Sequence, residues 1–157
     1  MTNLKSVDLK TFYTDGVYNI SEMFKNCSSL TEINLGEHFN TKAVNNMGGL
    51  FSGCTSLNRI ELGNNFITAS VTDMSYMFQL SEVTALDLSS FDTSNVTNMG
   101  NMFVSTKVTS LDLSGFDTSK VTAMYYMFYG SAAIEIKGLE KFNTSKVTDM
   151  GSMFGRM

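Results

Sequence analysis

The stretch Val83–Phe103 reads VTALDLSSFDTSNVTNMGNMF, and it returns at Val108–Phe128 as VTSLDLSGFDTSKVTAMYYMF. Extended in both directions, the same pattern covers the chain, because all 12 Phe and 10 of the 12 Met fall into register. The Phe registers are Phe12, Phe39, Phe66, Phe91, Phe116 and Phe142, and Phe24, Phe51, Phe78, Phe103, Phe128 and Phe154. A fixed period of this length predicts stacked units that bury a core only together. We expect one repeat array over residues 1–157, with units of about 4–29, 30–56, 57–82, 83–107, 108–130 and 131–157.

Each unit carries a strand pattern followed by a helix pattern. In the fourth unit, Leu86 and Leu88 alternate with Asp87, which is typical of a short half-buried strand. Val96–Phe103 then has apolar residues at i, i+3, i+6 and i+7, the spacing of one helix face, and Thr93 precedes it as a capping residue type. These patterns predict an α/β fold of six stacked coils, each with a short parallel strand and a short helix.

Composition excludes several classes of protein. The net charge of −4 and the pI of about 4.9 argue against a nucleic-acid partner. No apolar run approaches the 18 or so residues of a membrane helix, and no signal peptide is visible. The chain has no Pro, where roughly eight are expected. Stacked strands explain this absence, since Pro cannot donate a backbone hydrogen bond to the next coil.

The string LDLSSFDTSNVTNMGNMF, from Leu86, resembles the repeat of about 26 residues of the BspA-like leucine-rich-repeat family of bacterial surface proteins. MFKNCSSL, from Met23, and LFSGCTSL, from Leu50, fit the link between its units. The resemblance covers all six units. It implies a right-handed leucine-rich-repeat-like solenoid on exported or anchored bacterial proteins that adhere to host or neighbouring cells.

The chain departs from that pattern in several places. The usual Asn ladder of leucine-rich repeats is absent, because Phe91 and Phe116 occupy its positions. In the last unit a longer step predicts a surface bulge at Lys137–Lys141, and neither end carries a polar capping unit. We therefore expect a fragment of a longer array, with its signal and anchor outside this chain, and the uncapped ends suggest end-to-end self-association.

An acidic column is expected on the exposed strand face, between the two apolar strand residues of each unit. Its members are Asp8, Asn34, Glu61, Asp87, Asp112 and Glu135. Parallel strands lie about 4.8 Å apart, and like charges directly opposite are destabilising. Two interpretations remain open: the carboxylates are fully solvated, or they bind a cation or a basic ligand. Ca²⁺ prefers clustered carboxylates, but no acid-rich loop motif accompanies them.

Four tyrosines form a second candidate binding group: Tyr76, Tyr125, Tyr126 and Tyr129. They lie on or just after the expected helices, at positions that the Met and Phe core does not need. Exposed Tyr is enriched at recognition surfaces, yet Tyr also covers the edges of apolar cores. Both roles remain open.

Two further columns have structural interpretations. Thr recurs two residues after Phe in every unit, which predicts hydroxyls that bond the turn backbone: Thr14, Thr41, Thr68, Thr93, Thr118 and Thr144. Cys27 and Cys54 share a register, and adjacent coils bring their Cα atoms within disulfide range. A disulfide and a pair of free, buried thiols are both open, with free thiols favoured because stacked side chains point alongside each other.

No catalytic, metal or cofactor site emerges. His38 is the only His, and no phosphate loop, HExxH or GxSxG string occurs. We expect a non-catalytic cell-surface module that binds a host or neighbouring-cell protein or glycan, with the acidic column and the Tyr group as first candidates. The alternative is a structural spacer or stalk within a larger bacterial surface protein. We expect no nucleic-acid partner, no membrane insertion and an extracellular location.

Overall fold

Short parallel strands and tight turns build the protein. The computed structural model describes residues 3–157, so Met1 and Thr2 lie outside the described residues. Within 3–157 the strands are β1 (Ser6–Asp8), β2 (Glu32–Asn34), β3 (Arg59–Glu61), β4 (Ser110–Asp112) and β5 (Glu135–Lys137). The order β1-β2-β3 forms one parallel sheet, and β4-β5 forms a second. A line of single parallel bridges from Asn19 to Asp149 links all six units, one residue per unit. Consecutive repeats therefore stack in parallel.

The expected α/β solenoid of the leucine-rich-repeat type, with a short helix in each coil, is wrong. The described residues contain no α-helix, and the only helical element among them is a 3₁₀ turn at Leu139–Lys141. In the segment Val96–Phe103, expected as a helix, residues 96–99 instead pass through the single bridge at Asn98, and tight turns follow over residues 100–105. The fold is nearly all strand, turn and coil.

Hydrogen bonding explains why these turns are not a helix. The N–H groups of Met99, Asn101 and Phe103 donate to carbonyl oxygens of the next repeat, at 2.9–3.0 Å. The intervening Met102 and Val104 donate to the carbonyl three residues back, at 3.3 and 3.2 Å. An α-helix would send every N–H to the carbonyl four residues back within its own segment. Here alternate N–H groups leave the segment and join it to its neighbour.

Two left-handed residues per repeat make this alternation sterically feasible. Asn101 and Ser105 have φ of 60° and 52°, and the same two positions have positive φ in every unit. The positions are Glu22, Gly49, Tyr76, Asn101, Tyr126 and Ser152, and Asn26, Gly53, Leu80, Ser105, Gly130 and Arg156. Gly and Asn are the residues that adopt this conformation most readily. Only five of these twelve positions carry Gly or Asn, and both positions of a unit do so only at Gly49 and Gly53, so the sequence gives a weak signal for these turns.

The core consists of stacked identical side chains, as the Phe and Met registers predict. Rings from Phe24 to Phe154 form a continuous ladder with centroids 5.5–5.8 Å apart. Buried Met residues lie in two further columns, which include Met74 and Met77. Some members in the first and last units are more open: Phe12 is 50% exposed and Phe154 is 51% exposed, although Phe24 is buried. These units have a neighbour on one side only, so half of each contact is missing.

The predicted Thr column is confirmed for five of its six members, whose hydroxyls join repeats to one another, whereas Thr144 is exposed and its hydroxyl makes no such bond among the described residues. The Thr93 hydroxyl donates to the Asp117 carbonyl oxygen at 3.0 Å and accepts from the Asp117 N–H at 2.8 Å. Thr68 makes the same pair of bonds with Asp92. Thr93 is 1% exposed, and both of its bonds with Asp117 are partly buried. Each of these two hydroxyls therefore bonds both the N–H and the carbonyl oxygen of one residue in the following repeat.

Replacing Thr93 with Val should therefore weaken the stack. Thr93→Val keeps the volume but leaves a partly buried N–H and a partly buried carbonyl without their partner, which should cost about 2 kcal/mol of unfolding free energy. Urea denaturation followed by circular dichroism measures this change. The matched control is Thr109→Val, at an exposed site, which should shift the unfolding free energy by less than about 0.5 kcal/mol. Equal stability of the two variants would contradict the assigned role of the hydroxyl.

Candidate binding surfaces

In the first three repeats, the acidic column is engaged with its neighbours. The parallel register places Asp8, Asn34 and Glu61 side by side. The Asn34 Nδ2 group donates to Glu61 Oε2 at 2.5 Å, and Arg59 forms an ion pair with the same carboxylate. Asp8 lies 3.9 Å from the Lys10 ammonium. The charges of this end are therefore largely compensated by adjacent side chains.

In the fourth and fifth repeats, Asp87 and Asp112 are less compensated, since only Asp112 has cations nearby, those of Lys137 and Lys141. Each carboxylate accepts the N–H two residues later, at 3.0 Å from Ser89 or from Ser114. Hydrogen bonds from Ser89 hold the pKa of Asp87 below its usual value, and those from Ser114 do the same for the pKa of Asp112. Neither carboxylate forms an ion pair within residues 3–157. Both stay ionised on an exposed face.

The last repeat does not continue the acidic column as expected. β5 pairs Lys137 with Asp112, whereas Glu135 lies opposite Ser110. Ile134, expected as an inward strand residue, is 91% exposed. The cause is Gly138, whose φ of +90° brings its backbone so close to Ser114 that a Cβ atom would lie 2.5 Å from the Ser114 nitrogen. The last strand is therefore Glu135–Lys137, and Lys137 instead of Glu135 occupies the column position in this repeat.

The strand ladder is interrupted at the fourth repeat. Residues 83–88 form no strand, and the backbone N–H and C=O groups of residues 83–87 make no hydrogen bond within the described part of the chain. A cleft of about 270 Å³ separates this segment from β3, with Ile60 and Leu86 among its walls. A second cleft, of about 340 Å³, lies on the other side between Asp87 and Asp112. We call residues 83–88, together with the two clefts beside them, the strand gap.

The four candidate tyrosines divide into two pairs. The Tyr125 side chain reaches back over Gly100 of the preceding repeat and contacts Tyr76 of the repeat before that. Tyr126 and Tyr129 meet edge to face, with ring centroids 5.2 Å apart. Burial and the hydrogen bond with Tyr76 raise the pKa of Tyr125, because both disfavour its phenolate. The first pair therefore spans three repeats, and the second stays within the fifth.

A column of Asn and Asp side chains that the sequence analysis did not single out borders the first tyrosine pair. Each accepts the N–H two residues later, in a side-chain turn. The column comprises Asn19, Asn46, Asp73, Asn98 and Asp149. Its sequence signal is an Asn or Asp two residues before Gly or Ser in register. In the fifth repeat the pattern changes at both positions, to Ala123 and Tyr125.

Gly100 sets the position of the Tyr125 ring. A Cβ atom at residue 100 would lie 2.5–2.9 Å from three atoms of that ring, closer than side chains pack. Gly100→Ala should therefore push Tyr125 outward and lower its pKa towards the ordinary value for tyrosine. Titration of the Tyr125 ring carbon by nuclear magnetic resonance measures this.

Gly115→Ala is the matched control, because a Cβ atom there meets nothing within 4 Å. It should leave the titration of Tyr125 unchanged. An unaltered pKa in Gly100→Ala would show that the ring does not depend on this glycine.

Cys27 and Cys54 are free and buried, so the interpretation as buried thiols is confirmed. The Cys54 thiol donates to the Phe24 carbonyl oxygen at 3.0 Å. Burial, and then the neighbouring Cys27, raise the pKa of Cys54 to about 12 from an ordinary 9.0. The thiol stays protonated and inert in the folded protein at neutral pH.

The Cys54 shift predicts a pH dependence of stability above pH 9. The unfolded thiol ionises near 9 and the folded thiol near 12, so unfolding releases a proton between these values. This stabilisation is complete below about pH 9 and is lost as pH rises towards 12. Urea unfolding at several pH values should therefore give a shallower decline for Cys54→Ala than for the unmodified chain. Parallel declines would refute the assignment to Cys54.

Residues 3–157 contain no group of three or more His, Cys, Asp and Glu side chains placed to hold a metal ion. No helix in this part of the chain is long and apolar enough to cross a bilayer.

Comparison with known proteins gives one family. The model of the family described as "Mycoplasma protein of unknown function, DUF285" matches residues 1–109 and again residues 59–157. The two matches overlap and together cover the chain. No curated protein and no solved structure matches it.

Proposed function

The chain belongs to the DUF285 family, and we propose that it is a non-catalytic protein-binding module whose strand gap receives an extended, basic segment of a partner. The observation that carries this proposal is the interruption of the ladder at residues 83–87. Unpaired backbone groups at an exposed strand edge are a template for another strand, a mode of peptide recognition known as β-augmentation. Elsewhere along the stack, neighbouring repeats occupy these groups.

The charge at the strand gap selects the chemistry of the partner. Asp87 and Asp112 flank the cleft of about 340 Å³, are ionised, and form no ion pair within residues 3–157, although Lys137 and Lys141 lie near Asp112. Opposite charge across an interface steers association and sets register more than it adds affinity. An extended segment with Lys or Arg at alternate positions would present its cations to this one face.

The wider role that we propose is adhesion at a bacterial cell surface. It rests on the resemblance of the LDLSSFDTSNVTNMGNMF string to BspA-like surface repeats, whose partners are surface proteins or glycans of host or neighbouring cells. An extracellular location is part of the same proposal.

A spacer or stalk is the second candidate function. The uniform Phe ladder favours it, because ring spacing barely varies from Phe24 to Phe154. A spacer, however, gives no reason for local breaks in the exposed pattern. The strand gap, the Tyr125 ring over Gly100 and the altered register at Glu135–Lys137 are three such breaks, and they favour binding.

A synthetic peptide tests the binding function directly. The probe is an acetylated, amidated octapeptide of alternating Lys and Val with a fluorophore, titrated with the protein at low ionic strength while anisotropy is followed. Asp87→Asn combined with Asp112→Asn should weaken binding about fivefold, because two exposed charge pairs are lost. Asn retains the oxygen that accepts the turn N–H, so the fold should be unaffected.

Asp92→Asn combined with Asp117→Asn is the matched control. These carboxylates make the same side-chain turns and are exposed, but they lie in a different column. The control removes the same charge and should leave the affinity unchanged. A peptide N-methylated along one edge should also bind weakly, since it cannot donate backbone hydrogen bonds. Equal loss in both double variants, or equal affinity of the methylated peptide, would refute the strand gap as the site.

A further inference from the structure

A polar pocket of about 350 Å³ lies on the turns of the first three repeats, away from the strand gap. Its walls include Glu22, Asn46, Gly48, Asp73, Ser75 and Tyr76. This volume is at the lower end of the range for small-molecule sites, so it suits one ring rather than a larger ligand. None of these residues belongs to the strands or to the gap between them.

The chain itself shows what fits at the equivalent place further along. Ser75, Gly100 and Tyr125 occupy one register in consecutive repeats. Over Gly100, the Tyr125 ring lies against the glycine, and its hydroxyl bonds with the side chains of Tyr76 and Asn98. Over Gly48, the corresponding residue is Ser75, whose hydroxyl is too small to cover the same area. The pocket is therefore an open form of the position that the Tyr125 ring fills two repeats further along the chain.

We propose that this pocket binds a single saccharide ring of a glycan. Asn46 Oδ1 accepts the Gly48 N–H and Asp73 Oδ1 accepts the Ser75 N–H, both at 2.8 Å, which fixes the two side chains. The Asn46 amide then has a donor to offer and the Asp73 carboxylate an acceptor. Two neighbouring sugar hydroxyls can accept from the Asn46 amide and donate to the Asp73 carboxylate at the same time. A phenol has only one hydroxyl and cannot engage both groups in this way.

The charge of the pocket favours a neutral ligand. The Lys25 ammonium lies 2.5 Å from Glu22 Oε1, so this wall is internally neutralised. Asp73 remains as a single carboxylate, which disfavours an anionic ring and accepts from hydroxyls. Tyr76, 38% exposed and with a φ of 59°, presents its ring at the edge of the pocket. An aromatic side chain beside carboxamide and carboxylate groups provides both the apolar and the polar contacts that a neutral sugar needs.

The experiment uses nuclear magnetic resonance of the full chain with ¹⁵N labelling. The probes are the methyl glycosides of glucose, galactose and N-acetylglucosamine, with N-acetyltyrosinamide as the competing class. At least one glycoside should shift the amide signals of Gly48, Gly49 and Ser75, with a Kd of about 1 mM, typical of a ligand of this size. Binding by N-acetyltyrosinamide alone, or by no probe, would overturn the proposal.

Two variants exchange the open and filled positions. Ser75→Tyr should place a ring over Gly48, as Tyr125 does over Gly100, and should abolish the glycoside shifts. Tyr125→Ser combined with Ala123→Asp should open the position over Gly100, supply the acceptor that Asp73 provides in the original pocket, and add a second set of shifts there. Tyr126→Ser is the matched control, because that side chain pairs with Tyr129 instead, and it should leave one set of shifts.

Unchanged binding in Ser75→Tyr, or no new shifts at Gly100 in the Tyr125→Ser and Ala123→Asp double variant, would exclude the pocket as the site. Each variant reports its own folding through the dispersion of the same spectrum. The double variant Asp87→Asn and Asp112→Asn should retain the glycoside shifts. The experiments therefore test the saccharide pocket and the strand gap independently of each other.

Discussion

Hydrogen bonds between consecutive repeats are the interaction on which the structure depends. In the turn segment, alternate N–H groups such as those of Met99 and Asn101 donate to the next repeat instead of closing a helix. A repeat of about 26 residues buries little surface alone, so its backbone groups must find partners in its neighbours. The left-handed residues at two fixed positions are the conformational cost of this arrangement, and the full set of inter-repeat bonds offsets that cost.

Fixed registry then dictates the composition of the chain. Because each residue lies against its counterpart in the next repeat, identical side chains form columns, and a residue that fits once fits throughout. Parallel Phe rings at 5.5–5.8 Å and buried Thr hydroxyls that close the following turn are two results. The absence of Pro is a third, since a missing N–H would break a bond between repeats.

The repeats, the core columns and the Thr column were predictable because they depend on spacing alone. The expectation of a helix was wrong, because apolar residues at i, i+3 and i+7 fit two consecutive tight turns as well as one helix face. Gly or Asn occupies both left-handed positions in one unit only, at Gly49 and Gly53, so the sequence carried little information that distinguishes the two structures. The position of Glu135 was missed because its flanking Ile134 and Ile136 look like a strand, whereas the close approach of Gly138 to the preceding repeat sets the register. That approach depends on tertiary structure, as does the Tyr125 ring over Gly100.

Strict registry also limits where recognition can reside. A column that satisfies the core must repeat, so binding specificity has to come from exposed positions where repetition fails. At the strand gap, backbone groups that other repeats pair are left free beside two ionised carboxylates. At the turns, a ring covers Gly100 but not Gly48, so one chain holds both a filled and an open form of the same pocket. The two proposed sites use different faces of the repeat: we propose an extended backbone as the ligand of one and a small polar ring as the ligand of the other. A stack of this kind can therefore carry two independent specificities without altering its core.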